Sequence, residues 1–183
     1  MAKKRRFSAY RRLETPYTRT SKFRAKAFIR MTKNPRIVRW NMGNQLGDYD
    51  FVYNLVSKEA IQVRDLAIES ARMVANKVLE TALGQTGYYF HLKVYPHHVL
   101  REHSLASGAG ADRLSTGMAR PFGKPAGIAA QFREGQEIMS IFVKKDNVGL
   151  AKTAFNKART KLPGTYTIKI EAIKKGSAEA EAE

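Results

Sequence analysis

All four histidines of the chain fall in one short stretch, and this cluster is the first candidate for chemistry. They are His91, His97, His98 and His103. Imidazole is a common metal ligand, but the chain has no cysteine, the nearby carboxylates are limited to Glu102, and the spacing His-Glu-x-x-His does not occur. We therefore predict no bound metal, and we interpret His97 and His98 as groups that stack on, or hydrogen-bond beside, RNA.

Two glycine-containing stretches partly match phosphate-binding loops. Gly-Ala-Gly at positions 108–110 begins like a dinucleotide fingerprint, but Arg113 stands where the third glycine belongs. Gly-Lys at positions 123–124 ends like a Walker loop, but Pro125 follows in place of Ser or Thr, and Met118 occupies the first glycine position. Neither stretch qualifies as a nucleotide site, so no cofactor is predicted.

The candidate catalytic groups are equally weak. Ser104, Ser107 and Ser115 have histidines nearby in the sequence, but sequence neighbours do not make a triad in space. Asp48 and Asp50 lie in a predicted turn, where acidic side chains commonly bond to local N–H groups. We predict that the chain is not an enzyme and has no small-molecule substrate.

The distribution of charge is the strongest signal in the sequence. The 183 residues carry a net charge of +17, and residues 1–40 supply +13 of it, with 14 basic residues against Glu14 alone. Such an arm repels itself, and a polyanion along it would offset that cost because each neutralised phosphate releases counterions. We predict that residues 1–35 form an extended RNA-binding arm. The candidate contacts in and beside it are Lys3, Lys4, Arg5, Arg6, Arg11, Arg12, Arg19, Lys22, Arg24, Lys26 and Arg36.

Other properties of the sequence narrow the class of protein. A merely solubilising, disordered tail is the alternative to an RNA-binding arm, but the aromatic residues between the charges argue against it. No run of about 18 apolar residues could span a membrane. No apolar segment of a secretory signal follows the basic N-terminus. We predict a cytoplasmic chain with a large anionic partner and no membrane contact.

Hydrophobic periodicity predicts an α+β fold, with two helices packed on a mostly antiparallel or mixed sheet. The predicted strands are 36–42, 51–56, 88–95, a short one near 98–101, 126–132, 138–143 and 165–173. The first strand places Val38, Trp40 and Met42 on one face, and the last places Tyr166, Ile168 and Ile170 inward. Residues 36–175 are predicted to form one domain, followed by a disordered acidic tail at 176–183.

Both helices have start and stop signals. Ser57 can cap the first, whose apolar stripe runs from Ala60 to Val78 before Gly84 ends it. Asp146 or Asn147 can cap the second. The buried side of that second helix is predicted to hold Leu150, Ala151, Ala154, Phe155, Ala158 and Leu162, with Pro163 and Gly164 at its end.

Residues 103–127 are predicted to form one long irregular loop, because they hold five of the 13 glycines together with Pro121 and Pro125. Long loops inside a domain are usually functional or disordered. Small residues let a backbone approach another polymer closely. Arg113, Arg120 and Lys124 are spaced to contact phosphates.

Three stretches of this chain resemble the archaeal and eukaryotic L-ten-e ribosomal protein family, the counterpart of bacterial L-sixteen. They are residues 88–103 (YYFHLKVYPHHVLREH), 111–113 (ADR) and 117–127 (GMARPFGKPAG). Lys-Leu-Pro at positions 161–163 is similar to the same family. The resemblance covers roughly residues 15–173 and is most specific in residues 88–127.

The resemblance implies a non-catalytic constituent of the large ribosomal subunit with an α/β hammerhead-type fold. Implied partners are large-subunit ribosomal RNA, the tRNA acceptor end and other large-subunit proteins. Residues 103–118 are implied to point toward the peptidyl transferase centre and the tRNA acceptor arms, with residues 120–125 anchoring the loop's return. The implied tRNA-proximal residues are His103, Ser104, Ser107, Gly108, Gly110, Arg113, Ser115 and Met118.

Two other functions fit a basic arm on a folded domain. An RNA-modifying enzyme would need a cofactor pocket, which neither glycine stretch supplies. A free-standing RNA-binding regulator would sediment away from large ribosomal subunits.

Overall fold

The computed structural model describes residues 6–14, 22–27, 29, 34–103 and 122–173, and these residues form two antiparallel sheets and two α-helices. The α+β class is therefore confirmed. The strands are β1 Asn41–Gly43, β2 Phe51–Ser57, β3 Ile61–Arg64, β4 Tyr89–Leu92, β5 His98–Glu102, β6 Lys124–Phe132, β7 Glu137–Val143 and β8 Tyr166–Ala172. The helices are α1 Asp65–Leu83 and α2 Val148–Arg159, with short 3-10 turns at Phe7–Tyr10, Arg24–Lys26 and Lys145–Asn147.

The larger sheet has the strand order β1-β4-β7-β2-β8, and one of its faces packs against both helices. Phe90 and Leu92 of β4 point into this core, while Tyr89 and His91 point to the other face, as their alternation predicts. Phe155 of α2 is fully buried against the same core.

The smaller sheet has the order β3-β6-β5, and one face of it extends the same core through Ile61, Val63 and Phe132. A turn between β6 and β7 contains Gly135 at a φ of 76°. The two strands it joins do not pair with each other, because β6 lies at the centre of the small sheet and β7 at the centre of the large one. The expected single sheet is therefore two sheets.

The first helix begins later than its sequence pattern predicts. Its expected N-terminal turn is instead strand β3, where Ile61 and Val63 share a buried face and pair with β6. Ser57 does not cap a helix, since its hydroxyl donates to the carbonyl of Glu59 (2.7 Å) at the end of β2. The predicted stop is confirmed, because Gly84 follows the helix with a φ of 65°.

The strand expected at 36–42 is reduced to its last residues. Residues 36–40 run along α1, where the N–H of Arg36 donates to Asp65 Oδ2 (3.3 Å) and the N–H of Val38 donates to Glu69 Oε2 (3.4 Å). These bonds replace a strand ladder, so Val38 is 72% exposed while Met42 of β1 is buried.

Four further expectations are corrected. Residues 124–127 are strand, with Lys124 paired opposite Glu102, so the irregular loop is shorter than predicted. Helix α2 ends at Arg159, before Pro163 and Gly164, and no side chain caps its start. Ile170 is 54% exposed, because β8 is an edge strand.

Candidate nucleic-acid interface

The N-terminal arm is fixed to the small sheet by two apolar side chains. Tyr10 packs against Leu100 of β5, and Ile29 packs against Val99, the preceding residue of that strand. Successive side chains of a strand point to opposite faces. The described parts of the arm therefore contact both faces of the small sheet.

Polar contacts hold the same part of the arm in register. Gln62 Nε2 donates to the carbonyl of Tyr10 (3.0 Å), and Gln131 Nε2 donates to the carbonyl of Glu14 (2.8 Å). Arg101, whose side chain is 6% exposed, lies 3.5 Å from the carboxylate of Glu14. The arm is thus anchored by side chains of all three strands of the small sheet.

The predicted arm cations point to solvent while the anchors point inward. All of those in the described residues are exposed: Arg6, Arg11, Arg12, Lys22, Arg24, Lys26 and Arg36. Arg11 also lies 3.8 Å from Glu59, an exposed pair that contributes little to stability. The remaining predicted cations of the arm lie outside the described residues: Lys3, Lys4, Arg5 and Arg19.

Phe23 is an exposed aromatic between two cations. Its side chain is 58% exposed, and the Nζ atoms of Lys22 and Lys26 each lie 5.5 Å from its ring centroid. An aromatic ring beside positive charge can stack on a base while the cations meet phosphates.

His97 belongs to a row of three aromatic rings that we call the junction row, formed by Trp40, Tyr95 and His97. The rings of Trp40 and Tyr95 are stacked with centroids 5.5 Å apart, and Tyr95 lies 4.6 Å from His97. Trp40 is oriented by its Nε1, which donates to the carbonyl of Val94 (3.2 Å). The row lies beside the link between β4 and β5, and Tyr95 is 41% exposed.

The other predicted sites are placed separately. His98 is 3% exposed in β5, so its side chain offers little surface to a partner. Lys124 is exposed at the start of β6, and the ring of His103 lies 5.1 Å from that of Phe122. The remaining predicted loop sites lie outside the described residues: Ser104, Ser107, Gly108, Gly110, Arg113, Ser115, Met118 and Arg120.

Sequence reasoning did not single out a second aromatic surface on the outer face of the large sheet. The ring centroid of Phe142 lies 5.1 Å from that of Tyr89 and 6.4 Å from that of Tyr49. The three rings line a cavity of about 500 Å³. Tyr89 also stacks on His91. Burial, and secondarily the positive charge of Lys93, lower the pKa of His91.

Within the described part of the chain, no group of three or more His, Asp or Glu residues could hold a metal ion. Nor does that part contain a helix long and apolar enough to cross a bilayer. In the described residues, the groups able to bind a polyanion are the exposed cations and the aromatic rings.

Comparison with known proteins identifies the family of this chain. The family described as ribosomal protein L16p/L10e matches residues 13–169. The chain belongs to this family. It is 44% identical over 162 residues to the large ribosomal subunit protein uL16 of Archaeoglobus fulgidus, which covers 88% of this chain and 90% of that relative. It is 41% identical over 183 residues to the uL16 of Nanoarchaeum equitans, covering 96% and 97% of the two chains.

Family membership confirms the resemblance found in the sequence. A member of the L16p/L10e family is a structural component of the large ribosomal subunit and not an enzyme, so the RNA-modifying alternative is excluded. Membership of this family places the chain in the cytoplasmic ribosome. It also implies ribosomal RNA and other ribosomal proteins as partners.

Proposed function

We propose that the arm and the junction row bind large-subunit ribosomal RNA close to the peptidyl transferase centre, and that residues 103–118 help to position tRNA acceptor ends. One observation carries the first half of this proposal. Every described candidate cation of the arm is exposed, while Tyr10 and Ile29 of the same segment are buried. The apolar side chains fix the arm to the protein, and the charges are left for a partner.

Phosphate contacts and base contacts have different tasks in this proposal. Contacts from exposed Arg and Lys to phosphates set position and register but carry little sequence information. Phe23 and Tyr95 supply exposed rings on which unpaired bases stack, and folded RNA offers such bases in loops and bulges. The protein then recognises RNA shape by combining both kinds of contact.

The loop role is supported by how the loop is mounted. Glu102 pairs with Lys124, and the rings of His103 and Phe122 are in contact, so the residues on either side of 104–121 lie next to each other. The loop sequence is rich in glycine and alanine, which permits close approach to a polymer. Mounted on paired strands, this segment can reach an RNA partner without altering the core.

Binding at different salt concentrations tests the RNA contact. If about six or more phosphates are neutralised, affinity for large-subunit ribosomal RNA falls on the order of a thousandfold between about 50 and about 200 mM salt. The variant with Arg6→Gln and Arg12→Gln lowers the slope of log affinity against log salt by about 1 to 2. The control carries Lys77→Gln and Arg133→Gln, two exposed cations outside the arm. A wild-type affinity that is flat with salt contradicts the proposal.

Deletion of residues 104–116 tests the loop. The segment offers only Leu105 and Leu114 as large apolar residues, so the free energy of unfolding should stay within about 0.5 kcal/mol of wild type. Ribosomes carrying the deletion should bind tRNA more weakly and translate more slowly, or mature poorly. Unchanged tRNA binding and unchanged growth would exclude a role for the loop.

A further inference from the structure

A cavity of about 440 Å³ lies between the turn after β2 and the C-terminal end of α2. Two cations, Lys58 and Arg159, line it together with the polar side chains of Asn156, Thr160 and Thr165, and no acidic residue does. Such a lining presents donors to an anion from several directions.

The surrounding segment is strongly one-sided in charge. Residues 147–170 contain five basic residues and no acidic one. Lys152, Lys157, Arg159 and Lys161 are all exposed there, and none of them forms an ion pair with another described residue. The helix dipole favours cations in the last turn of α2, but it does not account for Lys152 in an earlier turn.

One residue beside the cavity, Glu59, links it to a cation of the arm. Glu59 follows Lys58 in the sequence, and Tyr166 lines the cavity. Burial raises the pKa of Tyr166, and the negative charge of Glu59 is the second cause of that rise. Arg11 of the arm lies 3.8 Å from the carboxylate of Glu59. An arm cation thus lies close to the acidic residue that follows Lys58 in the sequence.

Two hydrogen bonds and a tight turn hold the walls of the cavity. The N–H of Lys58 donates to the carbonyl of Thr165 (3.0 Å), and the hydroxyl of Tyr166 donates to the carbonyl of Pro163 (2.6 Å). The turn between them requires glycine, because Gly164 has a φ of 90° and a Cβ there would lie 2.8 Å from Ile61 Cδ1. The backbone around the cavity is therefore fixed by contacts within the protein.

We propose that Lys58 and Arg159 hold a backbone phosphate of RNA in this cavity, so that the cations of α2 extend the arm's binding surface to a second segment of RNA. This inference rests on the proposed function, since it assumes that the arm binds ribosomal RNA.

Lysine acetylation of the full chain, with and without large-subunit ribosomal RNA, tests the site. RNA should protect Lys58 and Lys161 from acetylation to the same extent as Lys22 and Lys26 of the arm, while Lys77 on α1 stays reactive. In parallel, the variant with Lys58→Gln and Arg159→Gln should lower the salt slope by about 1 to 2. The Lys77→Gln, Arg133→Gln control should leave the slope at the wild-type value.

The outcomes separate the two proposals. Protected arm lysines with a reactive Lys58 overturn this inference and leave the proposed function standing. Reactive lysines in both places, with an affinity insensitive to salt, overturn both. Protection of Lys58 in the intact large subunit but not by ribosomal RNA alone identifies a protein neighbour and also overturns the inference. Urea unfolding of the Lys58→Gln, Arg159→Gln variant verifies that a lower slope is not caused by misfolding.

Discussion

The two sheets differ in how they are covered. The large sheet packs two helices on one face, and side chains such as Tyr53, Phe90 and Phe155 are completely buried there. Beyond the edge of that core, the described part of the arm buries Tyr10 against one face of the small sheet and Ile29 against the other. The large sheet contains most of the core, and the small sheet serves as the mount for the arm.

Because the small sheet is less well covered, its stability should respond more to a ligand that binds the arm. A ligand that binds only the folded form stabilises it, by an amount that grows with ligand concentration relative to Kd. The arm contacts at the small sheet bury few apolar groups, so they open more readily than the main core. We expect ribosomal RNA to stabilise the small sheet more than the large one.

The largest effect is expected in the large sheet. Phe90→Ala removes a fully buried ring from β4 and should lower the free energy of unfolding by about 3–5 kcal/mol. That is a large share of the total for a domain of this size. Urea unfolding measures it, with the half-exposed Ile170→Ala as the control, expected to change stability by less than about 1 kcal/mol. Equal losses in both variants would contradict the proposed location of the core.

A smaller and local effect is expected at the mount. Tyr10→Ala should cost about 1.5–3 kcal/mol of burial energy, confined to the small sheet. Hydrogen exchange should accelerate for the amides that pair β5 with β6 and stay unchanged for those that pair β2 with β7. If exchange accelerates equally in both sheets, the two are one cooperative unit and the comparison fails.

The junction row between the sheets is expected to affect binding more than stability. Tyr95→Ala should weaken binding of ribosomal RNA by about 1–3 kcal/mol if a base stacks there. Trp40 is the single tryptophan of the chain and stacks on Tyr95, so its fluorescence reports on this place alone. RNA should quench that emission, and Phe23→Ala should leave the quenching intact. Binding of RNA without any change in Trp40 emission would remove the row from the interface.

The sequence predicts the elements better than their assembly. The alternation of Phe90 and Leu92 identifies β4 because the side-chain period of a strand is short and local. The start of α1 is misread because Ala60, Val63 and Ala67 have helical spacing, while Ile61 and Val63 pair with a distant strand. The strands with which β6 and β7 pair are also distant in the sequence. The turn between β6 and β7 therefore does not reveal that they belong to different sheets.

The sequence also identifies some parts of the candidate site and misses others. The concentration of charge in residues 1–40 identifies the arm directly, but its anchoring depends on Leu100 and Val99, far along the chain. The cations around α2 are missed because their charge is averaged with the acids of the other 143 residues. The absence of any acid between positions 147 and 170 is the local signal that would have found them.

The smallest expected effect is a pH dependence that belongs to the large sheet. Burial on the outer sheet face, and then the charge of Lys93, lower the pKa of His91 below its value in the unfolded chain, about 6.5. In the pH window between the two values the unfolded chain binds more protons, so the free energy of unfolding falls as pH drops through about 6.5 toward the folded pKa. His91→Gln should remove this part of the slope in urea unfolding between about pH 7.5 and about pH 5. An unchanged slope in that variant would show that other groups cause the pH dependence of the free energy of unfolding. Proton binding on the outer face of the large sheet would then have no measurable effect on stability.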